Sequence, residues 1–404
     1  MLKGKTVLVG ITGGIASYKM ANCVSMLLKL GADVYVLMTQ NATNFINPIT
    51  FETLTGHKCI VDTFDRNFEF NVAHVSLAKK ADVFLIAPAT ANVIGKIANG
   101  IADDMLTTTV MAFDKKVIIA PAMNTHMYHN PFFQENLKKL SSFGCEIIPP
   151  DSGYLACGDT GEGKMPSEET LIDYVLMELS HKKDMTGINV IISAGPTQEA
   201  IDPVRYITNH STGKMGYALA WAAVRRGAGV TLVSGVTGLK KPRFVETIDV
   251  TSAEDMFNVF KNRFTNYDII IKAAAVADYR PSEVSDQKIK KKEGDMSIAL
   301  SRTPDIIKYM GENRRNGQFI CGFSMETQNM VENSRAKLDK KHIDMIVANN
   351  LKVTGAGFGT DTNVVTIITK DSIKPLERMS KDEVSMAILD EILLKTNKDG
   401  GDQS

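Results

Sequence analysis

The sequence predicts an α/β protein built as two Rossmann-like domains in tandem, and three observations predict it. Its 404 residues exceed what one ordinary core needs and suit two domains. One syntax, an apolar strand run, a glycine turn and an amphipathic helix, opens near Thr6 and opens again near Asn189. Each opening leads into further short apolar runs alternating with helical patterns, as in a parallel sheet covered by helices. The expected domains are residues 1–185 and 186–404.

The elements follow in order. Thr6–Ile11 is the first strand, and Thr12, Gly13 and Gly14 form its turn. Apolar residues at three- and four-residue spacing predict a helix from Ile15 to Leu30. Gly31 stops it, and Asp33–Met38 reads as the second strand. Further buried strands are expected at Asp82–Ala87, Lys116–Ala120 and, shorter, Cys145–Ile148. Pro88 and Pro121 are expected just beyond strand ends, where open α/β sheets hold ligands. Ser180–Thr186 reads as a polar linker. The second half restarts at Gly187, with strands at Asn189–Ser193, Val230–Ser234 and Asp268–Ala273 and a helix at Tyr217–Arg226. The polar tail after Lys395 is expected to fray.

Composition narrows the partners. Lys+Arg and Asp+Glu balance at 46 each, which gives no support for nucleic acid or a membrane surface as the main partner. Anionic small molecules must then be held by local charge. The five cysteines are widely spaced and form no C-x-x-C pair, which speaks against a disulfide framework or a zinc site. Reduced thiols fit a cytoplasmic location. Neither a signal peptide nor an apolar run of spanning length is read.

In the first half, Gly10–Ala16 is a glycine turn that opens a helix, where backbone N–H groups suit a phosphate. Thr12 stands where a G-x-G-x-x-G fingerprint needs its central glycine, and the segment alone also reads as a tight turn without a ligand. His74 lies among apolar residues, where a lone His is more often structural than catalytic. Ala87–Gly100 places small and amide residues at a strand end, able to approach a flat ring and bond its polar edge. Asn124 falls just past another strand end. Gly153–Met165 reads as a glycine-rich functional loop, with Cys157 as a candidate proton donor or nucleophile.

In the second half, Ser211 is a candidate N-cap before a helix with two early glycines, a second anion-binding helix start. The spacing is not the Walker pattern, and an ordinary turn remains the other reading. The run through Ala273, Ala274 and Ala275 ends a buried strand in small residues and leads to Asp278. Lys290–Lys292 reads as a solvated face. Pro304–Ile307, Gly322–Thr327 and Lys337–Lys341 complete the motifs.

Together these motifs resemble the cysteine-decarboxylating FMN flavoproteins. More narrowly they resemble the bifunctional phosphopantothenoylcysteine decarboxylase/phosphopantothenate–cysteine ligase family of coenzyme A biosynthesis, over residues 3–395. Tyr128 stands where that family usually has Trp, which keeps an aromatic wall, and Ser324-Met325 replaces its common Ala-Ala. The resemblance implies an FMN-binding decarboxylase domain followed by a CTP-dependent ligase domain. It implies His74 as base, Asn124 on the substrate carboxylate, and Cys157 as proton donor. Gly13, Gly14, Ile15, Thr39, Thr90, Ala91, Asn92, Val93 and Ala122 would contact FMN. Asp278, Lys288, Phe323, Lys337 and Lys341 would bind CTP, with Ala273, Ala274, Ala275, Pro304, Asp305, Ile306 and Ile307 lining the nucleotide. Asn209 would hold an acyl-cytidylate. Mg2+ (or Mn2+) would arrive with CTP, and its protein ligands are not identified. Trimers of the flavin half within a dodecamer, with pairing of the ligase halves, are also implied.

The implied chemistry is coherent. A carboxylate attacks the α-phosphate of CTP, pyrophosphate leaves, and cysteine's amine displaces CMP. The flavin then takes a hydride from the thiol-bearing carbon. The resulting thioaldehyde accepts electrons as CO2 departs, and hydride and proton return to the enethiol. Three rivals are a nicotinamide dehydrogenase, a non-catalytic flavin-binding protein and a ligase with a silent flavin half. The first lacks its fingerprint spacing, and the presence of His74, Asn124 and Cys157 disfavours the others.

Overall fold

The structure is a computed structural model that describes residues 1–63, 73–156, 158–291, 296–326, 330–350 and 359–401. It contains two compact units, Met1–Lys182 and Lys183–Ser404.

The first unit runs β1 (Thr6–Ile11), α1 (Met20–Lys29), β2 (Asp33–Met38), α2 (Pro48–Thr55), α3 (Ala73–Lys80), β3 (Val83–Ala89), α4 (Ala91–Ala98) and α5 (Met105–Ala112). It continues with β4 (Lys116–Pro121), α6 (Thr125–Tyr128), α7 (Pro131–Ser142), β5 (Glu146–Ile147), β6 (Asp151–Tyr154), β7 (Thr160–Lys164) and α8 (Glu168–Leu179). A parallel sheet in the order β2-β1-β3-β4-β5 forms its centre. Its strands are apolar on both faces, as a doubly covered sheet requires. Val7, Val9, Val83, Leu85 and Ala87 meet α1 and α8, while Leu8, Phe84 and Ile86 meet α4, α5 and α7.

Three expectations change here. The first helix opens as a 3-10 segment, Ile15–Lys19, and becomes α-helical only at Met20. Ser17 tightens that turn: its hydroxyl lies 2.8 Å from the Thr12 carbonyl and 2.6 Å from that of Gly14. Pro88 and Pro121 lie inside β3 and β4, not beyond them. The ladder slips between Ile86 and Ala89, which is where a strand tolerates proline. The glycine-rich loop is an antiparallel hairpin, β6–β7.

The second unit runs β8 (Asn189–Ala194), β9 (Gln198–Ala200), β10 (Tyr206–Thr208), α9 (Lys214–Arg225), β11 (Gly229–Ser234), β12 (Glu246–Asp249), α10 (Ala253–Arg263), β13 (Ile269–Lys272), β14 (Tyr279–Pro281) and β15 (Leu300–Arg302). It ends with α11 (Ile306–Glu312), β16 (Phe319–Glu326), α12 (Met330–Lys341), β17 (Met345–Asn350), β18 (Thr362–Asn363), β19 (Val365–Thr369), β20 (Ile373–Pro375), β21 (Met379–Ser380) and α13 (Lys381–Gly401). Its sheet follows the order β12-β11-β8-β13-β16-β17-β19-β20. The first six strands are parallel, and β19 and β20 join antiparallel. Ile191, Val233, Ile270, Ile320 and Ile346 pack against α10, α11 and α12. Helix α9 packs on β8, β11 and α13.

The expected linker is partly structured into this unit. Met185 is buried, and its amide donates to the Arg226 carbonyl at 2.9 Å. Asp184 receives two hydrogen bonds from the Arg226 guanidinium, at 2.8 and 2.9 Å, and Lys183 Nζ donates to the Arg225 carbonyl at 2.6 Å. These bonds place the break between units before Lys183, ahead of the expected 185/186. The tail is also more ordered than expected, since α13 continues to Gly401. Among the described residues no helix is long and apolar enough to cross a membrane.

Candidate active sites

In the first sheet the strand order reverses between β1 and β3, so the chain leaves their carboxyl ends in opposite directions and opens a crevice. Thr12 spans it. Its hydroxyl donates to the Pro88 carbonyl at 2.6 Å and accepts the Thr90 amide at 2.9 Å. Thr90 caps α4 by accepting the Val93 amide at 3.4 Å. Val93 itself is buried in the core, so only its backbone can face a ligand. Ile15 stands 57% exposed at the crevice mouth.

Two features suit FMN. A Cβ added to Gly14 would meet nothing closer than Thr90 Cγ2 at 3.8 Å, so its backbone is open to approach. Thr39, just past β2, has a buried hydroxyl that finds no hydrogen-bond partner among the described residues. Such an orphan costs about 1–3 kcal/mol and is relieved by a ligand. Gly13 has a different explanation: a Cβ there would lie 2.6 Å from Asn41 Cβ, so packing alone demands glycine.

Asn124 caps the short α6, accepting the His126 amide at 2.8 Å, and its Nδ2 donates to Asp159 Oδ2 at 2.9 Å. The β6–β7 hairpin docks on this turn, with the Met123 amide donating to the Gly163 carbonyl at 2.9 Å. A Cβ on Gly163 would come 2.2 Å from the Met123 oxygen, and Gly163 has φ +129°. Cys157, between the two hairpin strands in sequence, lies outside the described residues. His74 is half-buried in the first turn of α3. The four described cysteines are free; burial pushes Cys23 and Cys59 to about 12 and raises Cys145 and Cys321 as well, so none of the four is a thiolate near neutral pH.

In the second sheet the order reverses between β8 and β13. Here the backbone closes the rim: the Ala275 amide donates to the Gly195 carbonyl at 3.0 Å, and the Thr197 amide to the Ala275 carbonyl at 3.3 Å. Asn209 Nδ2 also donates to the Ala275 carbonyl, at 3.2 Å. Ser211 is not the helix cap; Gly213 is, at φ +78°, a conformation that favours glycine. Its amide lies 3.4 Å from Ser211 Oγ.

Beside this rim lies a cavity of about 300 Å³. Asp278, Pro304, Asp305, Ile306 and Lys341 line it, as do Lys272, Arg302 and Thr303. Ala273, Ala274, Ala275, Lys288, Ile307, Phe323 and Lys337 are not among the lining residues, and the side chains of Ile306 and Ile307 point into the core. Asp305 caps α11 and pairs with Lys341 at 3.0 Å. Although burial acts to raise it, the bond and charge of Lys341 leave the Asp305 carboxyl below its usual range. Lys288 is placed by its neighbour: the Ile289 amide donates to Asp202 Oδ2 at 3.1 Å, and Arg205 Nη2 donates to the Ile289 carbonyl at 2.9 Å. Among the described residues no group of three or more His, Cys, Asp or Glu could hold a metal ion.

Two family models divide the chain: "Flavoprotein" matches residues 1–180, and "DNA/pantothenate metabolism flavoprotein C-terminal domain" matches residues 185–395. The coenzyme A biosynthesis bifunctional protein CoaBC of Bacillus subtilis is 47% identical over 99% of this chain and 99% of its own length. The protein of the same name from Haemophilus influenzae is 42% identical over 98% and 99%. That of Borreliella burgdorferi is 44% identical over 96% and 99%. The chain belongs to the bifunctional coenzyme A biosynthesis family. The dehydrogenase and non-catalytic readings find no support in these matches.

Against this family's expected site, sequence reasoning passed over two groups. Lys272 sits in a run of isoleucines and reads as part of a strand. Asp202 and Arg205 carry no role in the sequence reading, yet they hold the Lys288 segment; their three-residue spacing beside a proline is the only signal the sequence offers.

Proposed function

We propose that this chain makes 4′-phosphopantetheine in two steps, joining cysteine to 4′-phosphopantothenate with CTP in the second unit and decarboxylating the product with FMN in the first. The supporting observation is the pairing of two unlike crevices, each at a strand-order reversal, within one chain of this family. The first is lined by small neutral residues with an orphaned hydroxyl, and the second opens beside a charged cavity.

In the ligation, Lys341 and Lys288 meet the triphosphate and offset its charge as the carboxylate attacks the α-phosphorus. Asn209, steered by the Ala275 carbonyl, holds the acyl-cytidylate while cysteine's amine displaces CMP. Mg2+ or Mn2+, arriving with the nucleotide, would offset part of the triphosphate charge alongside these lysines. In the decarboxylation, bound FMN supplies a reversible hydride acceptor for the thiol-bearing carbon. Gly13, Gly14, Ile15 and the Thr90–Val93 turn hold it, and Thr39 gains the partner its hydroxyl lacks. Ala122 lies at the neighbouring strand end. His74 removes the substrate thiol proton, Asn124 orients the carboxylate through its amide, and Cys157 returns a proton to carbon. The residues of this scheme, the division of labour between the units, and a trimer-based homo-oligomer are parts of the same proposal. The oligomer is checked by light scattering on the purified chain.

The test is a coupled assay with phosphopantothenate, cysteine, CTP and Mg2+, following CMP and CO2 and recording the visible spectrum. A yellow protein releasing both products is expected. CMP without CO2 leaves a ligase alone, and neither product with a colourless protein overturns the proposal.

A further inference from the structure

Lys272 is the last residue of β13, after three buried isoleucines in a strand that the parallel sheet covers on both sides. Its strand neighbours are Ser193 on β8 and Gly322 on β16, both small, which leaves room beside it. Its side chain lines the 300 Å³ cavity together with Arg302, Lys341, Asp278 and Asp305. That is three cations against two carboxylates, and Asp305 is already paired with Lys341 at 3.0 Å. Among the described residues, neither Lys272 nor Arg302 makes a salt bridge. A half-buried lysine lining a cavity without a bonded anion is left with an unmatched charge, and an arriving anion supplies the match.

We infer that Lys272 is a further binding residue for the substrate polyphosphate, its ammonium meeting the nucleoside triphosphate in the cavity it shares with Arg302 and Lys341. The inference rests on the CTP reading above and adds a residue to it. The charged and titratable groups around Lys272 are Lys341 on α12, Asp305 at the start of α11, Asp278 and Tyr279 after β13, Arg302 on β15, and Cys321 on β16, whose thiol burial keeps neutral. Burial and then the Lys341 charge lower Lys272 to about 8, against the pull of Asp305 and Asp278. Part of the population is therefore neutral in mildly alkaline solution. A polyanion beside it restores the full charge, so nucleotide binding takes up a proton.

The experiment is calorimetric titration of CTP with Mg2+ into the full-length flavin-loaded chain at pH 8. It is run in two buffers of different ionisation enthalpy, for wild type, Lys272→Arg and Lys272→Met. Wild type is expected to take up a fraction of a proton per CTP. Lys272→Arg should bind within a few-fold of wild type with that uptake gone, because arginine stays charged. Lys272→Met should bind about tenfold more weakly. Unchanged proton uptake in Lys272→Arg overturns the inference even if Lys272→Met misfolds, as does wild-type affinity in a folded Lys272→Met. A wild-type chain that binds no CTP overturns the nucleotide reading itself, and the wild-type titration separates that failure from a failure of Lys272 alone.

Discussion

The two strand-order reversals share a topology and differ in what surrounds them. At β1 and β3 the polar groups satisfy one another: Thr12 bonds Pro88 and Thr90, and Thr90 caps its own helix. Beyond them, the Thr39 hydroxyl has no partner among the described residues. At β8 and β13 the backbone seals the rim, and Lys272, Arg302, Lys341, Asp278 and Asp305 gather in the cavity beside it. The lesson concerns residence. A nearly neutral crevice suits a ligand that stays, whereas a cavity lined by charged side chains suits a polyanion that arrives, reacts and leaves.

If the crevices are separable, damage to one should spare the other. The largest effect is expected from Gly163→Ala. A Cβ there would sit 2.2 Å from the Met123 oxygen at a φ of +129°, so the hairpin can no longer dock on the Asn124 turn. Decarboxylation should fall about 100-fold, the cost of misplacing a catalytic group by about an ångström. CMP release should hold. Equal losses in both products would break the comparison.

Next comes Arg226→Ala. Arg226 is 6% exposed, and its guanidinium bridges Asp184 and Asp390, the latter at 2.6 Å. Its removal should destabilise the second unit by about 2 kcal/mol, since the carboxylates left behind are partly exposed. Thermal unfolding followed by tryptophan fluorescence reads this directly, since the one Trp, Trp221, belongs to α9. The flavin spectrum should remain unchanged.

Asp202→Asn sharpens the ligase side. Arg205 holds the Asp202 carboxyl well below the usual carboxylate range, helped by the Val204, Ile289 and Arg205 amides. The network therefore contributes fully above the unfolded value of about 4 and weakens as pH falls below it. The substitution should raise the KM for CTP several-fold by loosening the Lys288 segment, and should flatten the acid limb of the stability profile. An unchanged KM would remove Asp202 from the site.

Thr39→Val should show the smallest effect, and one of opposite signs. Without flavin the variant loses a buried unsatisfied hydroxyl and should gain about 1 kcal/mol. FMN should bind it about two- to threefold more weakly. A weaker apo form would mean that Thr39 already has its partner within the protein.

Much of this was legible in the sequence. Thr6–Ile11 and Asp33–Met38 match the observed strands, because a doubly covered parallel strand is an unbroken apolar run. Asn124 sits where its position after a strand suggested. What stayed hidden depends on contacts distant in sequence. Ser17 bends its own helix start through local bonds that periodicity does not carry. The hairpin at Gly153–Met165 is rich in the residues of a loop, yet two of its glycines, Gly161 and Gly163, serve close approach to Thr125 and Met123. Lys272 gains its environment from Asp305 and Lys341, which follow it by whole strands and helices.

The segment Lys183–Met185 has a consequence for how these two activities could be inherited separately. Its side chains belong physically to the second half: Asp184 neutralises Arg226, and Met185 is buried. A gene split at Gly187 would leave the buried Arg226 on one product and one of its two carboxylates, Asp184, on the other. A split just before Lys183 would keep Asp184, Met185 and Arg226 in one product, so a viable fission has little freedom in where it falls.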